Sequence, residues 1–271
     1  MTIDTQVHPS VGTATAARVV FGRTVATYRH SPALLGVSLA APLGMVVLFG
    51  YVFGGTIAGD ADPSAYRSYL MPGVFVLVAS LGLMATAGTA NADLSSGLTD
   101  RFRALPIARA GVPTGLALAE TMIGAVALAA MMGIGYLVGW RIDAPAGEVA
   151  LAVLLLFAFR AALSWLGILL GIAIRDEQVL QQAAPMIFGL IMLSNVFTPT
   201  EAMPSVVRAI AEWNPISAVV AALRELFGSG TAVAADAAWP MHHPVIAAFG
   251  WIAVILAVSV PVAVRQYGAQ R

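Results

Sequence analysis

The 271-residue sequence predicts an all-α polytopic membrane protein: six transmembrane helices, an N-terminal interfacial helix, and two short re-entrant outer helices between spans five and six. Three observations predict it. Charged residues make up 10% of the chain and hydrophobic ones 59%, against roughly 25% and 45–50% in soluble domains. That is too little charge to solvate a surface of this size. Six apolar stretches approach the ~20 residues a helix needs to cross a ~30 Å hydrocarbon core. A further stretch, 199–244, is too long for a turn and too broken for a span.

The composition also excludes functions. The net charge is zero, so no global field favours nucleic acid. Cysteine is absent, which removes disulfides, thiol catalysis and Cys-based zinc sites. Lysine is absent too, and every basic residue is arginine. A P-loop needs a lysine at the phosphates, and Schiff-base chemistry needs one as nucleophile.

In chain order, residues 1–14 are small and polar, and 1–32 forms a cytoplasmic tail plus an interfacial helix over 16–30. Ala17, Val20, Phe21, Val25 and Tyr28 share one face of that helix. Ser31-Pro32 reads as N-cap and first helical position of the first span. The spans cover 33–54, 70–92, 113–139, 149–174, 178–198 and 245–264, with 265–271 as a cytoplasmic tail. Residues 33–264 form one bundle, and 1–271 is a single domain. Gln181, Gln182 and Pro185 interrupt the start of the fifth span. The first span is too long for a signal-peptide core and is read as retained.

Orientation follows from arginine placement. Arg18, Arg23, Arg29, Arg101, Arg103, Arg109, Arg175, Arg265 and Arg271 fall on one side; Arg67, Arg141, Arg208 and Arg224 fall on the other. The positive-inside rule places both termini in the cytoplasm. In 199–244, Pro204 opens a short helix, and Asn214-Pro215 forms a second cap pair. Ile216, Val219, Val220, Leu223, Leu226 and Phe227 follow one helical face, and Gly228 closes it. Two short amphipathic helices with a tight joint dip into the outer leaflet where protein or a watery cavity shelters their ends.

Two ionisable residues fall within spans: Glu120, ~10 Å from the inner end of the third, and Arg160, near the middle of the fourth. A mid-membrane arginine costs about 2.5–3.5 kcal/mol on insertion scales and needs a partner, a bundle interior or a cavity. The two depths differ by roughly 10 Å, which weighs against a direct pair. Arg160, Glu120 and Asn195 are the candidates for bundle polarity or a substrate path. Gly135/Gly139 and Gly167/Gly171 make two Gly-x-x-x-Gly pairs that permit close helix approach; with 26 glycines, chance also produces such pairs. His242-His243 lacks the spacing of a metal motif and reads as solvated, so no metal site is expected.

Several segments together carry a family resemblance. They are Phe49-Gly50-Tyr51-Val52-Phe53-Gly54-Gly55, Tyr69-Leu70-Met71-Pro72-Gly73 and Asp100-Arg101-Phe102-Arg103-Ala104-Leu105-Pro106-Ile107, followed by Leu193-Ser194-Asn195-Val196-Phe197, Met203-Pro204, Asn214-Pro215-Ile216-Ser217 and Ala222-Leu223-Arg224. In this order they resemble the permease subunit of bacterial ABC exporters of the second type, in the daunorubicin-resistance permease group. The resemblance implies a plasma-membrane efflux subunit. Its partners would be two ABC ATPase subunits and a second permease, identical or related. The cargo would be a small hydrophobic drug, antibiotic or lipid, with membrane lipid around the bundle and no nucleic acid.

The absent lysine fits that implication: the chain is not itself an enzyme and holds no cofactor, and ATP and Mg belong to the partner ATPase. By resemblance Asp100, Arg101, Phe102 and Arg103 form the ATPase-coupling segment, joined by Arg175, Asp176 and Glu177 in the second inner loop. A short charged loop between two spans is a handle that moves both. Pro204, Asn214, Pro215 and Arg224 would form an outer re-entrant gate. The alternative is an ion-coupled secondary transporter, a class marked by repeats and broken helices with mid-membrane charges; no convincing repeat is present.

Overall fold

The computed structural model describes residues 12–31, 33–48, 63–97, 108, 110–230 and 232–269. Among them it is all-helical. The helices are α1 (Thr13–His30), α2 (Ala33–Val47), α3 (Pro63–Ser95), α4 (Gly111–Leu137), α5 (Ala146–Ala173), α6 (Glu177–Met192), α7 (Ser205–Trp213), α8 (Pro215–Leu226), α9 (Trp239–His242) and α10 (Pro244–Ala269); a short 3-10 turn, Thr200–Ala202, precedes α7.

Among the described residues four helices are long and apolar enough to cross a membrane: α3 from Tyr66, α4, α5 and α10. The bent pair α7–α8 passes the same test only as one unit, broken by 72°. The predicted first span is described only as far as residue 48. Of the predicted fifth span, 178–198, only the part up to Met192 is helical. That helix, α6, has 16 residues, so it rises ~24 Å. Residues 193–199 then run irregularly.

The bundle is built around α3, which is buried without interruption from Tyr69 to Ser80. Leu70, Val74, Phe75 and Leu77 face Leu155, Phe159 and Leu223 in one continuous apolar core. α5 comes close to α3 because it presents glycine. A Cβ on Gly167 would lie 2.6 Å from the Leu83 carbonyl oxygen, and one on Gly171 would lie 2.3 Å from that of Ala87. The other predicted glycine pair does not work as a unit. Gly135 sits under Met71, whereas Gly139 adopts φ +104° in the turn after α4 and meets no side chain.

α1 is packed lengthwise on the start of α4, burying Ala16, Ala17, Val20 and Thr24. A Cβ on Gly115 would lie 2.4 Å from the Ala17 carbonyl oxygen. Arg23 of α1 pairs with Asp93 at the far end of α3. Ser31 ends α1, its amide donating back to the Thr27 and Tyr28 carbonyls; Pro32, its partner in the predicted cap of the first span, lies outside the described residues.

Candidate functional site

Two polar centres lie inside this apolar bundle. The first joins α3, α4 and α5. Arg160 is 2% exposed and Glu120 1%. Arg160 Nη2 lies 3.6 Å from Glu120 Oε2 and donates to Thr86 Oγ1 (3.1 Å) and to the Glu120 carbonyl (3.0 Å). Thr86, Thr89 and Tyr28 donate their hydroxyls to the Glu120 carboxylate. The depth argument against a direct pair is therefore corrected. From the observed helix ends Glu120 lies nine residues along α4 and Arg160 thirteen from the end of α5. Four residues of offset are ~6 Å, within reach of an arginine side chain.

Glycine makes the room. A Cβ on Gly124 would lie 2.1 Å from Arg160 Nε, and one on Gly82 would lie 2.9 Å from its Cζ. Gly82, Thr86 and Thr89 form a small-residue stripe on α3 at helical spacing. That stripe is the sequence signal for this centre, and hydropathy does not register it.

The second centre lies at the opposite end, where α3 begins. Arg224 of α8 is 4% exposed. Its Nε donates to the Tyr69 carbonyl (3.0 Å), and its Nη2 donates to the Asn195 and Val196 carbonyls (2.9 and 3.0 Å). Its guanidinium carbon sits 3.5 Å above the Tyr69 ring. Asn214 caps α8 by accepting from the Ile216 amide, and donates its own amide to the Leu190 and Leu193 carbonyls. Ser217 accepts from the Asn195 amide. The irregular stretch after α6 is thus held by Asn214 and by side chains of α8 and α3. Gly73 lets α3 touch it: a Cβ there would lie 2.6 Å from the Val196 carbonyl oxygen.

Asn195 and Arg224, assigned to separate groups from sequence, belong to this one centre. Pro204 occupies the N-cap position of α7, and Pro215 the first turn of α8. Tyr69 and Ser217 stand in the motifs of the sequence, but no role there points to this centre.

Arg175, Asp176 and Glu177 are all exposed in the α5–α6 turn. Asp176 accepts from the Gln178 and Val179 amides as the N-cap of α6. Asn91, unmarked in the sequence, donates to the Gly171 and Ile174 carbonyls and pins the end of α5. Asp100, Arg101, Phe102 and Arg103 lie outside the described residues.

Between the two centres, an apolar cavity of about 810 Å³, counted to its open mouth, lies among α3, α5, α6, α10 and the α7–α8 joint; Leu83, Phe159, Leu163, Ile187, Leu190 and Ile216 line it. Among the described residues, four helices long and apolar enough to cross a membrane and a bent helix pair packed against them mark a membrane protein, and sequence comparison decides its kind. Residues 15–227 match the ABC-2 type transporter family. The chain belongs to that family. It is also 32% identical over 226 residues to the daunorubicin resistance ABC transporter permease protein DrrB1 of Streptomyces coeruleorubidus, covering 83% of this chain and 79% of that protein. This ABC-2 chain is therefore a multi-pass membrane protein of the permease kind.

Proposed function

We propose that the chain is the transmembrane subunit of an ATP-driven exporter that moves a hydrophobic drug, antibiotic or lipid-like compound out of the cell. The observation that carries the cargo class is the apolar cavity under the α7–α8 joint. Its walls are almost wholly apolar, as those of small-molecule sites mainly are. The relative named for daunorubicin resistance agrees with that class.

In this reading both termini are cytoplasmic, α7 and α8 dip in from outside, and six segments cross the membrane. α2 continues past residue 48 as the first. α6 and its side-chain-held continuation make the fifth. α6 buries only Leu180 and Ile191 and leaves Gln181, Gln182, Met186 and Leu190 exposed. Amides facing lipid are costly, so a second permease covers this face. Two separate ATPase subunits hydrolyse ATP with Mg and push on Asp100, Arg101, Phe102 and Arg103, with Arg175, Asp176 and Glu177 beside them.

The test is efflux from cells expressing the chain with its ATPase. Ile187→Trp, which fills the cavity, should reduce efflux of apolar cargo while leaving the protein in the membrane. Arg101 and Arg103 changed together to alanine should uncouple efflux with insertion intact. Efflux that persists without any ATPase overturns the proposal.

A further inference from the structure

A second cavity, of about 700 Å³ with its mouth, opens beside Arg224; Tyr69, Asn195, Glu201, Glu225, Met241 and His242 are among its walls. Arg224 is a cation left without a carboxylate. Among the described residues no acid pairs with it, and its protein partners are three carbonyls and one aromatic face. A buried charge in that state is costly unless something compensates it. Guanidinium carries five N–H donors. Nε and Nη2 use theirs, and Nη1 makes no protein hydrogen bond and is not sealed from the cavity. Two donors thus remain for one anionic group.

Three further features define what that group is attached to. Glu201 and Glu225 are exposed on the same cavity, so its mouth is acidic while its floor is cationic. Asn195 is 6% exposed, and its Oδ1 has no hydrogen-bond partner. That oxygen is sealed in the cavity wall, so a ligand N–H or O–H meets it only when the side chain turns outward. The cavity also lies level with Tyr69, three residues after the α3 span begins at Tyr66. Paired tyrosines at a span end mark the headgroup layer.

We infer that this cavity takes a zwitterionic phospholipid headgroup of the phosphoethanolamine type, its phosphate on Arg224 Nη1 and its ammonium at Glu201 and Glu225. A purely anionic headgroup meets the same arginine but is repelled at the rim. The inference needs only the membrane setting, and it stands or falls independently of cargo and ATPase.

Native mass spectrometry of the full chain in detergent tests it, with phosphatidylethanolamine, phosphatidylglycerol and excess inorganic phosphate as probes. The expected result is roughly tenfold preferential retention of phosphatidylethanolamine, the scale of one charge-assisted hydrogen bond. Inorganic phosphate should not displace it. Glu201→Gln with Glu225→Gln, both on exposed side chains, should abolish the preference. Arg224→Lys keeps the charge but has too few donors for carbonyls and lipid together, and should lose the adduct. Equal retention of both lipids, displacement by inorganic phosphate, or an unchanged preference in the double glutamine variant overturns the inference. Because Arg224 also holds the Asn195 and Val196 carbonyls, the glutamine pair decides the matter if Arg224→Lys does not fold.

Discussion

Arg160 and Arg224 are both buried, and each is held in a different way. Arg160 has a carboxylate, a carbonyl and a threonine within reach, in a slot that Gly82 and Gly124 keep open. Arg224 has carbonyls and a ring. The sequence picks out Arg160 and Glu120 because any ionisable group in a span needs a reason. It does not reveal their pairing, because depth counted along two upright helices ignores side-chain length and the true helix ends. Removing one partner of a buried pair strands the other. Glu120→Gln should therefore lower stability by about 3–5 kcal/mol. Glu120→Leu combined with Arg160→Met should recover most of that loss. Thermal unfolding of the purified chain in detergent reads both. A double variant no more stable than the single one would show that the pair does more than offset its own desolvation.

At the scale of elements, α3, α4, α5 and α10 are legible from hydropathy, and so are the α8 cap and its end. Asn214-Pro215 starts α8 as its chemistry dictates, and Gly228 stops the chain at φ +74°. A Cβ on Gly228 would also lie 1.9 Å from the Asp143 carbonyl oxygen. Gly228→Ala thus meets both a strained dihedral and a backbone clash, and should cost of order 1–3 kcal/mol, seen as a lower midpoint in the same unfolding measurement.

The length of α6 is not legible. Residues 193–198 are apolar enough to continue a helix. Ser194 and Asn195 compete with its ladder, and Asn214 and Arg224, distant in sequence, take the carbonyls that the ladder leaves.

α7 is held from the loop side. Arg208 binds Glu212 on its own helix and grips Asp236 through two hydrogen bonds, and Glu212 accepts from the Ala238 amide. Those Arg208 bonds hold the Asp236 carboxyl below its ordinary 3.8. A depressed carboxyl stabilises above its unfolded value and ceases to do so as pH falls through its folded one. Deuterium uptake over residues 232–238, corrected for intrinsic exchange, should therefore be flat near neutral pH and rise in acid, where Asp236 and Glu212 both take up protons and release Arg208 and the Ala238 amide. Asp236→Asn should raise uptake at neutral pH and shrink the acid step.

For the whole molecule, the exposed face of α6 is where a second copy is expected. The chain contains no cysteine, so Met186→Cys introduces a single thiol on that face, at a side chain 74% exposed. Oxidation in membranes should give a cross-linked dimer, whereas a cysteine in place of Val254 on α10 should not. Equal yields at both positions would place the interface elsewhere.

What the sequence determines by itself is the class of object. Scarce charge and long apolar runs demand a bilayer, and the arginine distribution argues for one orientation. The missing lysine leaves the chain without a P-loop. These properties follow from composition and local periodicity, and they need no knowledge of neighbours. Only the tertiary structure decides which polar groups meet. It brings Glu120 to Arg160, and Arg224 to the backbone after α6, across separations of 40 and 28–29 residues. It also sets where α6 stops and where cavities open. The reason is the apolar interior: a buried donor or acceptor must find its partner wherever packing brings one, and sequence distance does not enter that requirement.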